Sequence, residues 1–140
     1  MKLPDVNVLV SALRPDAEHH TRCRDWLEAM VNAPRPFAVT GVVVAGTARV
    51  LTHPRVFRPP SRTVDVLDRL EPVLAAPNAV RVEPGSRHWA IFRRLVADAD
   101  ARGNLVQDAW LGAIAVEHGS TLVTLDGDFA RFDDLDVERP

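Results

Sequence analysis

The chain has 140 residues, 46% of them apolar and 26% charged, and a net charge of −2. This balance excludes wholesale disorder and predicts one folded domain over residues 1–140 with a real core. With no apolar run of membrane-spanning length, no secretory pattern around Lys2-Leu3-Pro4-Asp5 and a single cysteine, Cys23, the expectation is a soluble cytoplasmic protein with no membrane partner and no internal disulfide.

Leu3 begins a short strand, although Pro4 cannot donate to a sheet ladder and belongs at an edge or a strand end. A helix follows over Val6–Leu13. Asp16 is read as the start of a second helix, which Pro34 and Pro36 end. Phe37–Thr40 is a short apolar strand, and Gly41–Leu51 reads as a helix of small residues able to lie tight against a sheet. The Pro-rich THPRVFRPPS leads to Ser61, expected to cap a helix reaching about Ala76. Ala79–Val82 alternates like a strand. Ser86 is expected to open a helix carrying Trp89, Phe92 and Leu95, which Gly103 breaks. Asn104 is expected to cap a strongly periodic helix to about His118, stopped by Gly119. Thr121–Leu125 reads as a buried strand, and a last strand falls near Leu135–Val137. Strands alternating with helices predict βαβ units and a mostly parallel sheet covered on both faces.

In such a sheet, ligands bind outside the carboxyl ends of the strands. Asp5 follows the first strand and Asp126 follows Thr121–Leu125, so distant carboxylates converge there. Asp108 lies one turn into the Asn104 helix and can point at the same edge. Gathered carboxylates repel unless a cation lies between them, and oxygen donors suit Mg²⁺ or Mn²⁺. The competing explanation is structural: Asp5 and Asp108 as helix caps, and Asp126-Gly127-Asp128 as an Asp turn. Charge is unevenly spread. Residues 49–94 hold nine Arg against four acids, and residues 98–140 hold ten acids against three Arg. That asymmetry suits arginines on phosphates beside a metal site, or merely solvated helix faces.

Other chemistry finds no support. The chain has neither a GxSxG elbow nor a Gly-rich phosphate loop. His19 and His20 are adjacent and cannot share a helix face as a zinc pair needs. His88 and His118 read as helix-surface residues, and His53 in THPR as loop chemistry or an RNA contact. Trp26, Trp89, Phe92 and Trp110 read as packing residues.

Three stretches carry a resemblance: DVNVLVSAL from Asp5, RVLTHPRVF from Arg49, and RGNLVQDAWLGAIAVEHGSTLVTLDGDFARF from Arg102. Their order and spacing resemble the PIN domain, and within it the VapC ribonuclease toxins of bacterial toxin–antitoxin systems, in the subgroup abundant in mycobacteria. The resemblance spans essentially the whole chain. It implies a three-layer α/β/α fold around a small, mostly parallel sheet. It implies a Mg²⁺-dependent (Mn²⁺ possible) endoribonuclease acting on tRNA or ribosomal RNA and inhibiting translation. The implied partners are a VapB-type antitoxin, which itself binds DNA, and a second copy in a homodimer.

Residue by residue, the resemblance implies a catalytic set of Asp5, Asp108, Asp126 and Asp128. The first three would be the metal ligands. Asn7, Thr124 and the helix-start Asn104 match supporting positions. Arg49, His53 and Arg55 are the candidates for RNA contact. The family often has a Glu in the helix after the second strand, where this chain offers only Gly41 and Gly46. That gap supports a rival reading, a PIN domain that binds RNA or an antitoxin without cutting. A phosphorelay receiver needs a lysine near its last strand, yet Lys2 is the only lysine. An aspartate-based phosphatase needs Asp-x-Asp, yet the chain has Asp5-Val6-Asn7.

Overall fold

A computed structural model describes residues 1–140 as a five-stranded parallel sheet with six helices. Chain order is β1 (Lys2–Pro4), α1 (Val6–Leu13), α2 (His20–Val31), β2 (Phe37–Val39), α3 (Gly41–Leu51), α4 (Thr63–Leu74), β3 (Ala79–Arg81), α5 (His88–Asp98), α6 (Asn104–Glu117), β4 (Thr121–Val123) and β5 (Val137–Glu138). A 3₁₀ turn, Gly127–Arg131, joins the last two strands. The sheet order is β3-β2-β1-β4-β5, every pair parallel. Central strands in such a sheet are covered on both faces and so are apolar throughout. Leu3, Phe37, Ala38, Leu122 and Val123 are accordingly fully buried.

Connections run from β1 outward to β2 and β3, then cross back to β4 and β5. Right-handed crossovers in these two directions put helices on opposite faces. The packing agrees, since α1 packs on α2 and α3, α3 on α4, and α5 on α6. The result is three layers, as expected. Between β1 and β4 the strand order reverses, and the crevice there is where such sheets bind ligands.

Several local expectations are corrected. Pro4 is no such case: although β1 is the central strand, Pro4 is its last residue, the strand end that was one of the two places expected. Its missing N–H faces β2, where only Lys2 and Phe37 pair, while the β4 side keeps its ladder through Asp5 N–H to Val123 C=O at 2.9 Å. Asp16 does not start α2, because Arg14 holds its carboxylate and the helix begins at His20. Ser61 caps nothing: its hydroxyl accepts from Arg14 Nη1 at 3.0 Å, and α4 starts after Arg62. α5 begins at His88 rather than Ser86, because Glu117 takes the N–H groups of Gly85 and Arg87. His88 is not a surface residue. It is 2% exposed, its Nε2 lies 3.1 Å from the Trp110 carbonyl, and its ring packs edge-on against Trp110. The cap of α6 is Gly103, with φ +58°, and Asn104 is the first helical residue with a free side chain. α3 also lies tight against α1, where Gly46 faces Val6.

Candidate active site

Asp5 leaves β1 and becomes the cap of α1, its Oδ1 accepting from Val6 N–H at 2.6 Å. Its Oδ2 accepts from Asn7 Nδ2 at 2.6 Å and from the Thr124 hydroxyl at 2.7 Å. Thr124, which follows β4, accepts in turn from Asn7 Nδ2 and from Asp126 N–H, both at 3.0 Å. Asn7 closes the loop by accepting from Leu125 N–H at 3.0 Å. This network locks the ends of β1 and β4 together across the switch point. Asp5 is 7% exposed and cannot swing away.

Asp126 then caps the 3₁₀ turn, its Oδ1 accepting from Asp128 N–H at 2.9 Å. The capping explanation for Asp5 and Asp126 is therefore true as far as it goes. It does not account for Asp108, which caps nothing and sits one turn into α6. No Lys, Arg or His forms an ion pair with any of these four carboxylates. Burial raises the Asp5 pKa, and the nearby Asp126 charge adds to it, against the lowering by its hydrogen bonds. Burial, then the charges of Asp126, Asp5 and Asp128, push Asp108 up to about 6. Asp108 thus feels the charges of the other three acids, and Asp5 that of Asp126.

Asp5, Asp108, Asp126 and Asp128 line one cavity of about 620 Å³, together with Asn7, Asn104 and Gly46. Arg49 is the only cation on its wall. α1 and α6 both begin at this cavity, so their positive N-terminal ends face it. No three of the acids close into a ready-made ligand cluster. Mg²⁺ does not need one: it binds through one or two carboxylates, keeps several waters and takes the rest from phosphate oxygens. An uncompensated set of hard oxygen donors in one cavity fits that ion.

Thr124, a supporting position by resemblance, is the hydrogen-bond hub of the network. Of the three suggested RNA contacts, only Arg49 lines the cavity. His53 accepts from Arg55 N–H at 3.1 Å in the turn after α3, and neither residue reaches the acids' cavity. Gly46 borders the cavity, but a Cβ there would meet Val6 Cγ2 at 2.7 Å. Gly41 opens α3, and Glu83 supplies a carboxylate there from the end of β3. Glu83 accepts from Gly41 N–H at 2.8 Å and from the Thr40 hydroxyl at 3.3 Å. Sequence reading passed over Glu83, whose only signal was its place after a strand. It lines a separate, smaller cavity and caps α3, so no acid fills the gap.

With this geometry in hand, comparison with known proteins is specific. The PIN domain family matches residues 2–135. The chain is 44% identical over 140 residues to the ribonuclease VapC25 of Mycobacterium tuberculosis, spanning 100% of this chain and 99% of that one. It is 43% identical over 136 residues to the same organism's ribonuclease VapC43, spanning 97% and 92%. In structure it is similar to the VapBC2 complex of Rickettsia felis bound to promoter DNA, with a TM-score of 0.73 at 17% identity over 99% of this chain and 97% of that chain. It is also similar to M. tuberculosis VapC20, a toxin described as cleaving the sarcin–ricin loop, with a TM-score of 0.64 at 14% identity over 93% of each chain. At these identities the structural matches speak for the fold.

Proposed function

The chain belongs to the PIN-domain family, among the VapC ribonucleases, and from that premise we propose that it is a Mg²⁺-dependent endoribonuclease whose site is Asp5, Asp108, Asp126 and Asp128. The observation that carries the proposal is the convergence of four carboxylates, none ion-paired, on one cavity at the switch point. Asp5 and Asp108 would hold the ion, with Asp126 beside them. Mn²⁺ has the same preference for oxygen donors and is the alternative metal. Bound there, the ion would polarise a phosphoryl oxygen and lower the pKa of a bound water.

The chain's own residues do the rest. Val6 N–H, Asn7 and Thr124 fix the Asp5 carboxylate in one orientation. Asp126 or Asp128, both exposed, would orient the attacking water and accept its proton. Arg49, on the rim, offers a guanidinium to a neighbouring phosphate. Hydrolysis in this sense leaves a 3′-hydroxyl and a 5′-phosphate. The substrate would be tRNA or ribosomal RNA, and the physiological outcome inhibition of translation in the cytoplasm. A VapB-type antitoxin is the proposed partner, supported by the VapBC complexes among the structural neighbours. A homodimer is the proposed assembly.

The absent α3 acid favours one rival, binding without cutting. The test is cleavage of total tRNA and ribosomal RNA in Mg²⁺, in EDTA, and by Asp5→Ala and Asp108→Asn. Mg²⁺-dependent products lost in both variants and in EDTA are expected. Full activity in EDTA or in Asp108→Asn would refute the mechanism, and RNA binding with no cleavage in Mg²⁺ or Mn²⁺ would favour the rival.

A further inference from the structure

The cavity is much larger than one metal ion requires. Its volume of about 620 Å³ lies in the range, roughly 300–1,000 Å³, that encloses a whole small-molecule ligand. Besides the acids, Val10 of α1, Val50 of α3 and Leu111 of α6 line it and give it an apolar part. Gln107 lies on its wall, one residue before Asp108. It is exposed, and no group of the chain hydrogen-bonds its amide.

We propose that this apolar part is a nucleobase subsite. An unpaired base of the RNA, in the nucleotide beside the scissile phosphate, would lie on Val10, Val50 and Leu111, with its edge hydrogen-bonded by the Gln107 amide. The inference rests on the endoribonuclease reading and deepens it. Three features favour this occupant. The apolar residues line the same cavity as the phosphate-handling acids, so a strand with its phosphate at the acids has a neighbouring base close to them. An aliphatic surface alone accepts every base, whereas an amide presents an NH₂ donor beside a carbonyl acceptor and pairs best with a complementary edge. RNA enzymes that choose a sequence act on unstacked bases of this kind. A wrong base forgoes the Gln107 contact, and that difference is what discriminates between bases.

The experiment is a pool of short single-stranded RNAs with randomised sequence, cut in Mg²⁺, with the cut ends sequenced. Wild-type protein is expected to favour one base over the least favoured by about tenfold at one position flanking the cut, the worth of a well-made polar contact. Gln107→Leu, which keeps the bulk, and Gln107→Ala are expected to flatten that preference. Gln107 is exposed, so both variants retain the fold. A wild-type preference that survives in both variants overturns the subsite while leaving the nuclease intact, as does wild-type cleavage with no flanking preference. No Mg²⁺-dependent cleavage by wild type overturns the nuclease reading, and the subsite with it.

Discussion

Asp108 carries the heaviest electrostatic load in the molecule, and its position makes that load measurable. Its pKa is pushed up to about 6 by burial and by three neighbouring acids. A carboxyl whose folded pKa exceeds its unfolded value holds its proton more tightly when folded. Its stabilising effect is complete below the ordinary carboxylate pKa near 3.8 and is lost as pH rises through about 6. At neutral pH the metal-free protein therefore folds against an ionised Asp108. Asp108→Asn, neutral at every pH, should raise the melting temperature in EDTA at pH 7.5 and change it little at pH 4. A gain of equal size at both pH values would show that charge crowding is not its cause. Thr124 makes the complementary case. One hydroxyl donates to Asp5 and accepts from Asn7 and from Asp126 N–H. Thr124→Val keeps the shape but leaves Asp126 N–H without its acceptor and takes one hydrogen bond each from Asn7 Nδ2 and Asp5 Oδ2, and should cost about 1–3 kcal/mol. Urea denaturation would measure the loss. Thr124→Ser should recover most of it, and no recovery would mean that the methyl packing mattered instead.

At the scale of elements, α1, α3 and α6 bring the site together, and the close approach of the first two depends on Gly46. With Val6 Cγ2 only 2.7 Å from where a Cβ would stand, no side chain fits without movement. Val6 is β-branched and has little rotamer freedom to yield. Restoring an acid here by Gly46→Glu should therefore overpack the α1–α3 contact and cost about 1–3 kcal/mol, read as a drop in the urea midpoint. Unchanged stability would mean that α3 can shift, and that the missing acid is a simple loss. The helices themselves were legible in sequence. The bounds of α1 and α3 follow from apolar spacing bracketed by Pro, Gly and capping residues, and α6 is displaced only at its cap. What failed were the caps whose meaning depends on distant partners. Asp16 and Ser61 have the chemistry of helix starts, but Arg14, folded back onto the α3–α4 connection, takes both. Asn104 lost its capping role to a glycine with positive φ. Pro4 was legible as awkward, yet only the sheet order shows why a central strand tolerates it. The acids were legible because each stands beside a strand end or helix start. Gln107 and Glu83 were not, because nothing about an amide or a lone acid declares its direction.

At the scale of the whole molecule, the fold concentrates negative charge at the reversal of strand order and leaves it without a protein counter-ion. A cation that binds the folded chain and not the unfolded one must then stabilise it by mass action, by roughly 1.4 kcal/mol at tenfold excess over its dissociation constant. Mg²⁺ should accordingly raise the melting temperature of wild-type protein at pH 7.5 in a saturable way. Screening alone would also relieve repulsion, but NaCl at matched ionic strength reproduces that part and no more. Asp5→Asn combined with Asp108→Asn should remove the saturable part and leave the screening part. This measurement needs no RNA and no cleavage, so it separates the metal site from the nuclease activity. A saturable shift that persists in the double variant would place the ion elsewhere. No shift beyond NaCl in wild type would mean that the carboxylates acquire their metal only together with the phosphate oxygens of the RNA.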